Sequence, residues 1–292
     1  MTYLYSTPPI TYAPPMYLEP LNDISWAYQL HYHLCFRTHR RRPFFDDPAR
    51  RTALAQALTD LCKVTDVHLL ETKQNPESVQ LVASLRPSQL ISQVLKAIKG
   101  PSSTMLCREF GITAPLWARG YLARSVGRVR VQAVKRYVTE QAEHHGYSRR
   151  VRPPVFRFRA SEPRILATAH SSFDLKHHLV LATRFRHGVF GSRAGEALVN
   201  YWIKAADMRG FAIDQATVLP DHVHLLVRIT PKLSVDQMAL SLMNNGQYFM
   251  GKNFSNELVE AKVDQLWQPS AYVGTCGNLT TALLKAFLRG PG

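Results

Sequence analysis

The chain has 292 residues, of which 46% are hydrophobic and 20% are charged, an ordinary composition for a globular protein with room for two domains. No stretch approaches the roughly 20 apolar residues that span a bilayer, and the sequence does not begin like a signal peptide. We therefore expect no membrane partner and a cytoplasmic location.

The net charge of +15 favours a polyanionic partner, with nucleic acid as the leading candidate. The four cysteines form no C-x-x-C pair, which argues against a disulfide framework or a cysteine zinc site.

The first half of the chain opens with a segment that has no periodicity. Residues 1–20 contain several Pro and Tyr and are predicted to be extended or disordered. From Leu30, LHYHLCFRTHRRRPFF reads as an apolar strand that runs into a polar turn. In KAIKGPSSTMLCREFG (96–111) we expect a loop that opens a helix, whose free amides could meet phosphate beside Lys99. LWARGYLARSVG, from Leu116, reads as a loop before a final helix.

The second half repeats these patterns in the same order. LKHHLVLATRFRHGVF, LPDHVHLLVRITP and LWQPSAYVGTCG match LHYHLCFRTHRRRPFF, NPESVQLVASLRP and LWARGYLARSVG. Each half therefore reads as strand, helix, strand, strand, helix, loop and final helix, the pattern of an antiparallel sheet with helices on one face. We predict an α+β pair of like domains. The predicted boundaries are an N-terminal segment at 1–20, a first domain at 21–146, a basic linker at 147–172 and a second domain at 173–292.

The basic residues are clustered. In SRRVRPPVFRFR (148–159), Arg alternates with Phe156 and Phe158, as base-stacking surfaces often do. Solvated faces and a linker are the open alternative. The residues predicted to contact nucleic acid are Arg37, Arg40, Arg41, Arg42, Lys99, Arg119, Arg128, Arg130, Arg149 and Arg150.

The sequence DHVHLLVRI, from Asp221, is the candidate metal site. Its histidines alternate with apolar residues, so in a β-strand His222 and His224 project from one face while the apolar residues enter the core. Two imidazoles on one face can share a divalent ion. A pair of strand histidines without a ligand is the open alternative. As strand neighbours, Asp221 and His222 are expected to point to opposite faces, although a carboxylate there could orient an imidazole.

The context PDHVHLLV resembles the histidine-hydrophobic-histidine strand of HUH nucleases. The resemblance is to the single-tyrosine HUH transposases of the insertion-sequence 200/605 group and their relatives associated with repetitive palindromes, and it covers most of both halves. It implies two tandem ferredoxin-like HUH domains, each with a C-terminal catalytic-type helix. It also implies that His222 and His224 hold Mg²⁺ or Mn²⁺, which polarises the scissile phosphate of single-stranded or hairpin DNA.

The same resemblance implies a nucleophile in the first half. In LWARGYLARSVGRVRVQAVKRYVTEQ, Tyr137 occupies the nucleophile position, and Gln141, four residues on, occupies the position of a third metal ligand. A phenol that attacks a phosphodiester forms a covalent phosphotyrosine, which stores the bond energy for rejoining. An aromatic residue that only packs in the core is the open alternative for Tyr137. Tyr248 is a spare candidate nucleophile.

The two copies have lost different site residues. Ser78 and Gln80 stand where the second half has its two histidines, while Phe287 stands where the first half has its tyrosine. The losses are complementary. Members of the family that this chain resembles usually act as homodimers in which the tyrosine helix can dock on the partner's histidine strand. The resemblance therefore implies one composite site made by both halves of a single-chain pseudo-dimer, with further self-association possible.

The leading prediction is a metal-dependent tyrosine transposase that nicks and joins single-stranded DNA near hairpin ends. A domesticated DNA-binding or regulatory protein, which keeps the scaffold and the charge without catalysis, is the first alternative. A hydrolytic metalloenzyme without covalent chemistry is the second, and it predicts that the substitution Tyr137→Phe leaves activity intact.

Overall fold

The computed structural model describes residues 13–127, 154–277 and 281–289. These residues form eleven strands and six α-helices. The strands are β1 (Ser25–Gln29), β2 (His31–Arg37), β3 (His68–Asn75), β4 (Ser78–Ser84), β5 (Tyr121–Val126), β6 (Phe156–Arg159), β7 (Ser171–Asp174), β8 (Lys176–Thr183), β9 (Ala212–Leu219), β10 (His222–Arg228) and β11 (Trp267–Cys276). The helices are α1 (Pro48–Val64), α2 (Ile91–Glu109), α3 (Ser192–Arg209), α4 (Val235–Asn253), α5 (Ser255–Glu260) and α6 (Thr281–Arg289).

The strands form two sheets of matching topology. One sheet has the order β3-β4-β2-β5-β7, and the other has the order β9-β10-β8-β11-β1 with β6 added beyond β9. The pairings within β3-β4-β2-β5 and within β9-β10-β8-β11 are antiparallel. The edge strands β7 and β1 pair in parallel with β5 and β11. The predicted α+β fold, with two tandem copies of one domain, is confirmed.

The two copies exchange their first strands. Only Leu30 separates β1 from β2, yet β1 pairs with β11 of the second copy while β2 lies in the first sheet. Reciprocally, only Leu175 separates β7 from β8, and β7 pairs with β5 of the first copy. Each sheet is therefore completed by a strand from the other half of the chain.

Hydroxyl side chains fasten the point where the exchanged strands cross. The Thr275 hydroxyl accepts a hydrogen bond from the His31 amide at 3.0 Å and donates to the Val126 carbonyl at 2.6 Å. Ser125, which aligns with Thr275, accepts from the Lys176 amide at 2.9 Å. The two hydroxyl groups therefore make equivalent hydrogen bonds to the opposite copy, as expected for a pseudo-two-fold axis.

Glycine follows the hydroxyl residue two positions later in both copies because the backbones approach closely. A Cβ atom on Gly127 would lie 2.0 Å from the carbonyl oxygen of Thr275, and one on Gly277 would lie 2.4 Å from that of Ser125. Backbone atoms cannot yield as a flexible side chain would, so only glycine fits. The repeated sequences SVG and TCG are explained by this crossing.

An asymmetric pair lies where the two copies meet. Tyr32 aligns with His177, and the Tyr32 hydroxyl lies 2.8 Å from Nε2 of His177. Both side chains are fully or almost fully buried. Burial raises the pKa of Tyr32 and lowers the pKa of His177 to about 3, so the hydrogen bond joins a neutral phenol and a neutral imidazole.

The helices cover one face of each sheet. In the second copy, Val223 and Leu225 are completely buried and belong to the same apolar core as residues of α3 and α4. The indole of Trp202 on α3 donates to the Leu242 carbonyl on α4 at 2.7 Å. Alternation along β10 therefore directs the intervening side chains to the opposite face.

Part of the N-terminal segment ties the first half to the second. Residues 13–24 contain no helix or strand and lie along α4. The Asn244 side chain accepts from the Leu21 amide at 2.7 Å and donates to the Leu21 carbonyl at 2.9 Å. Gln247 donates to the Glu19 carbonyl at 2.8 Å. These bonds fix the segment in an extended path.

Two sequence expectations about the elements were wrong. The Leu-Trp segments, expected to be loops, contain β5 and β11. Gly120 and Pro269, which lie beside or within these strands, weaken the apolar pattern that marks a strand. The stretch expected to be a linker contains β6. There Phe156 and Phe158 pack against the apolar core, and they do not form an open base-stacking surface.

Candidate active site

The two histidines of β10 lie on the sheet face opposite the helices. In the antiparallel register His222 is opposite Ala182 of β8, and His224 is opposite Val180. Their ring centroids are 5.0 Å apart. Both are buried, with 8% of His222 and 3% of His224 exposed, so burial is deeper than the half-exposed face that alternation alone suggests.

His222 is oriented by the residue before it. Nδ1 of His222 lies 2.6 Å from Oδ1 of Asp221, whose other oxygen pairs with Arg186 at 2.9 Å. The expectation that the two neighbours point apart was wrong, because Asp221 belongs to the turn before β10 and is outside the strand alternation. Burial raises the pKa of Asp221, but the bond with His222 and the charge of Arg186 lower it overall. The carboxylate stays ionised and leaves Nε2 of His222 for a ligand.

His224 is oriented by a histidine from the neighbouring strand. Nε2 of His178 lies 3.0 Å from Nδ1 of His224, and the two rings stack at an interplanar angle of 18°. Burial lowers the pKa of His178 to about 4, so its neutral ring can accept a hydrogen bond from the Nδ1–H of His224. The Nε2 atom of His224 is then the one that suits a metal.

The histidine pair fits a divalent ion as two ligands of a larger set. Two Nε2 atoms on one strand face are suitable donors. Among the described residues, no group of three or more His, Cys, Asp or Glu side chains could hold a metal. The predicted third ligand, Gln141, and the predicted nucleophile, Tyr137, lie outside the described residues.

The first copy keeps the geometry of this face without the two histidines. His33 aligns with His178, and Gln80 aligns with His224. Nε2 of His33 lies 3.2 Å from Oε1 of Gln80. Ser78, the counterpart of His222, is opposite Arg37 in the register. The guanidinium of Arg37 therefore lies beside the position that His222 occupies in the second copy.

The last described helix reaches from the second copy to this face of the first. The guanidinium of Arg37 lies 4.7 Å from the ring centroid of Phe287 on α6 and donates to the Leu288 carbonyl at 3.5 Å. Phe287 is the residue that aligns with Tyr137. The C-terminal helix of one copy therefore docks on the sheet of the other.

The basic turn after β2 is a repeated feature. Arg40 and Arg41 have positive φ angles of 54° and 53°, and the aligned Phe185 and Arg186 have φ angles of 54° and 59°. Arg40 is exposed and Arg42 is half-buried. Their contact with nucleic acid stays a prediction, as does that of the exposed Arg119. Four further predicted contacts, Arg128, Arg130, Arg149 and Arg150, lie outside the described residues.

Lys99 does not lie in a loop. It is in the middle of α2, because the helix runs unbroken through Pro101. Its ammonium donates to the carbonyls of Ala118, Arg119 and Gly120 at 2.8, 3.3 and 3.0 Å, and burial lowers its pKa to about 8. All three donors of the ammonium are used within the protein, which assigns Lys99 a structural role.

Tyr248 is on the far side of the sheet from the histidines. It lies on α4, which covers the opposite face, and 57% of it is exposed. This position does not suit a nucleophile for the histidine pair.

Comparison with known proteins decides the family. Residues 26–141 and 171–290 each match the family model described as transposase, IS200-like. The two matches together cover well over half of the chain. The chain belongs to the IS200-like transposase family. It is a tandem member, and transposases of this kind are enzymes that cleave and transfer DNA.

Individual relatives of this IS200-like transposase match one copy at a time. The transposase of insertion sequence IS200 from Salmonella typhimurium is 26% identical over 115 residues, which are 39% of this chain and 76% of that protein. The ISDra2 transposase TnpA of Deinococcus radiodurans is 24% identical over 116 residues, 40% of this chain and 83% of that protein. The solved structure of a REP-associated tyrosine transposase bound to a REP hairpin aligns with 11% identity and a TM-score of 0.29, over 42% of this chain and 67% of that one.

No described helix of this IS200-like transposase is long and apolar enough to cross a membrane.

Proposed function

We propose that this chain cuts and rejoins single-stranded DNA near hairpin ends at one composite metal site. His222 and His224 of the second copy supply two nitrogen ligands, and the first copy supplies Tyr137 as nucleophile and Gln141 as a third ligand. The proposed domains are those predicted above, at 21–146 and 173–292, so the site is shared between them.

The docking of α6 is the observation that carries this proposal. Phe287, the counterpart of Tyr137, contacts Arg37, which is opposite the counterpart of His222 in the register. The two copies are related by a pseudo-two-fold axis, as the reciprocal bonds of Ser125 and Thr275 indicate. The same operation, applied to the first copy, would bring its C-terminal helix and Tyr137 to the histidines of the second.

The reaction follows from the residue types. A divalent ion at the site, Mg²⁺ or Mn²⁺, would act as a Lewis acid on the scissile phosphate. The phenol oxygen of Tyr137 attacks phosphorus, the bond from phosphorus to the 3′ oxygen breaks, and that oxygen leaves with a proton as a 3′ hydroxyl. The product is a 5′-phosphotyrosine. Attack on it by a 3′ hydroxyl restores a phosphodiester and frees the phenol, so rejoining needs no external energy source.

The protein's part is to present two ligand atoms in a fixed geometry. Asp221 and His178 each hold the Nδ1 side of one site histidine. Both Nε2 atoms are thereby directed to the same side before DNA arrives. Such preorganisation avoids rearranging the ligands during the reaction.

The test is a denaturing-gel assay with labelled hairpin-flanked single-stranded DNA and Mn²⁺. Wild type should give a covalent adduct that EDTA abolishes, and the variants Tyr137→Phe and His222→Ala should each lose it. Tyr248→Phe is the matched control, because it makes the same chemical change on the far side of the sheet, and it should retain the adduct.

Other outcomes separate the alternatives. Binding without any adduct on DNA from the native locus would favour a non-catalytic DNA-binding protein. Cleavage that persists in Tyr137→Phe would favour hydrolysis without covalent chemistry.

A further inference from the structure

The first copy has a basic cavity at the position of its lost catalytic site. The cavity has a volume of about 850 Å³ and lies between the end of β2, the segment before β7 and α6. Its basic and imidazole lining residues are Arg37, His39, Arg119 and His170. None of the described residues that line it is acidic.

Arg37 marks the chemical difference between the two copies. It aligns with Ala182, and the register places Arg37 opposite Ser78 as Ala182 is opposite His222. In the second copy, His222 lies opposite the small residue Ala182. In the first copy, the small residue Ser78 lies opposite the fixed guanidinium of Arg37. A guanidinium holds phosphate oxygens by charge-assisted hydrogen bonds but supplies no Lewis acid.

Further donors in the cavity suit the same ligand. Ser172 lines the cavity with its hydroxyl group, as do Thr168 and Ser171, whose hydroxyls hydrogen-bond to each other. Arg119 is exposed just before β5. The volume lies within the range of about 300–1,000 Å³ that is usual for ligand sites, which is enough for a nucleotide unit of a strand.

We propose that this cavity is a non-catalytic phosphate-binding pocket that holds the backbone of single-stranded DNA through Arg37 and Arg119. This inference rests on the proposed function in one respect, that the bound strand is single-stranded DNA. The composite site, on the histidine face of the second copy's sheet, then cuts the strand. The equivalent face of the first copy, where Ser78 and Gln80 replace the histidines and Phe287 occupies the tyrosine position, binds a second stretch of strand without cutting it.

The pocket is tested by anisotropy of labelled oligothymidylate over a range of salt concentrations. Arg37→Gln and Arg119→Gln should each weaken binding by about tenfold at low salt and lower the slope of log affinity against log salt by about 0.7, the value for one phosphate contact on a single strand. Arg86→Gln is the matched control. It removes the same charge from an exposed ion pair with Asp66, away from the cavity, and should leave the slope unchanged.

A second variant tests the cavity and not the charge. Ala286→Trp fills the cavity from α6 and should weaken oligothymidylate binding, whereas Ala55→Trp, on the exposed side of α1, should not. If Arg37→Gln does not fold, Arg119→Gln and Ala286→Trp carry the test. Unchanged affinity and slope in the variants that fold would overturn the pocket, as would a wild type that does not bind oligothymidylate.

The adduct assay separates this pocket from the proposed function. At saturating DNA the pocket variants should form the Tyr137 adduct at the wild-type rate within about twofold, because the cutting site is on the histidine face of the second copy's sheet. A wild type that binds oligothymidylate through the pocket but never forms an adduct would leave the pocket intact and remove the proposed function.

Discussion

Each site histidine has one ring nitrogen held by a neighbour, and this fixes which nitrogen can meet a metal. Asp221 holds Nδ1 of His222, and His178 holds Nδ1 of His224. A carboxylate is a stronger acceptor than an imidazole, so the two ligands are supported unequally. His224 therefore depends on a weaker partner than His222.

Replacing His178 should weaken the proposed metal site without removing either of its histidines. His178→Ala is expected to lower the apparent metal affinity, measured as the Mn²⁺ concentration for half-maximal adduct formation, by about 10–100-fold. His178→Asn, which can still accept a hydrogen bond, should restore part of it. The matched control is His33→Ala, the aligned residue of the first copy, which should leave the Mn²⁺ dependence unchanged. An equal shift in both alanine variants would contradict a positioning role for His178.

The buried His177 should make the fold sensitive to acid. Burial lowers the pKa of His177 to about 3 in the folded chain, against about 6.5 in an unfolded one. Below pH 6.5 the unfolded chain therefore binds more protons, so the free energy of unfolding falls as the pH falls, by up to about 1.4 kcal/mol per pH unit. The group that faces it from the other copy, Tyr32, stays neutral throughout this range.

Urea denaturation at pH 7 and pH 5, with EDTA present, measures this effect. The loss of stability between the two pH values should be smaller in His177→Gln than in wild type. The same loss in both proteins would show that His177 does not carry the acid sensitivity.

Only part of the site follows from the sequence. The pairing of His222 with His224 on one face is a property of strand alternation and could be predicted. The bond from Asp221 could not, because it depends on a turn conformation that alternation does not describe. The role of His178 depends on the register between β8 and β10, and local sequence does not specify that register.

At the scale of elements, the exchange of β1 and β7 makes the two copies inseparable. Each strand is covalently continuous with one sheet and hydrogen-bonded into the other. Thr275 and Ser125 stabilise the crossing through bonds to both copies. Loss of one hydroxyl should therefore weaken the whole chain and not one domain.

Thr275→Val tests this stabilisation. The substitution keeps the shape and removes the acceptor for the His31 amide and the donor to the Val126 carbonyl, so we expect a loss of about 1–3 kcal/mol in the free energy of unfolding. Thr59→Val on the exposed side of α1 removes only a bond to the preceding turn and should cost less than about 0.5 kcal/mol. Urea denaturation followed by circular dichroism compares the two. Equal small losses would argue against a special role for the crossing.

The order of helices and strands was largely predictable, but the exchange was not. Periodicity and internal repetition indicated the α+β pair. The strands β5 and β11 were missed because Gly120 and Pro269 lie beside or within them, and both residue types weaken a strand pattern. The sheet that β1 joins depends on its long-range pairing with β11. A local sequence pattern carries no information about such pairing.

At the scale of the molecule, duplication has allowed the two copies to diverge. A symmetric homodimer must place the same residue on both sides of its axis, whereas this chain places Tyr32 against His177. The same freedom lets one copy keep the histidines and the other keep the tyrosine. The proposed composite site, one per chain, would allow at most one covalent DNA strand per chain.

The most direct measurement is adduct formation by an equimolar mixture of Tyr137→Phe and His222→Ala chains, each inactive alone. Under the proposed function, each chain lacks a different half of its own composite site. If the site forms within one chain, the mixture should stay inactive, while a control mixture of His222→Ala with wild type should give adduct in proportion to the wild type. Adduct restored in the mixture of the two variants would contradict the account, because it would require the histidines of one chain to meet the tyrosine of another.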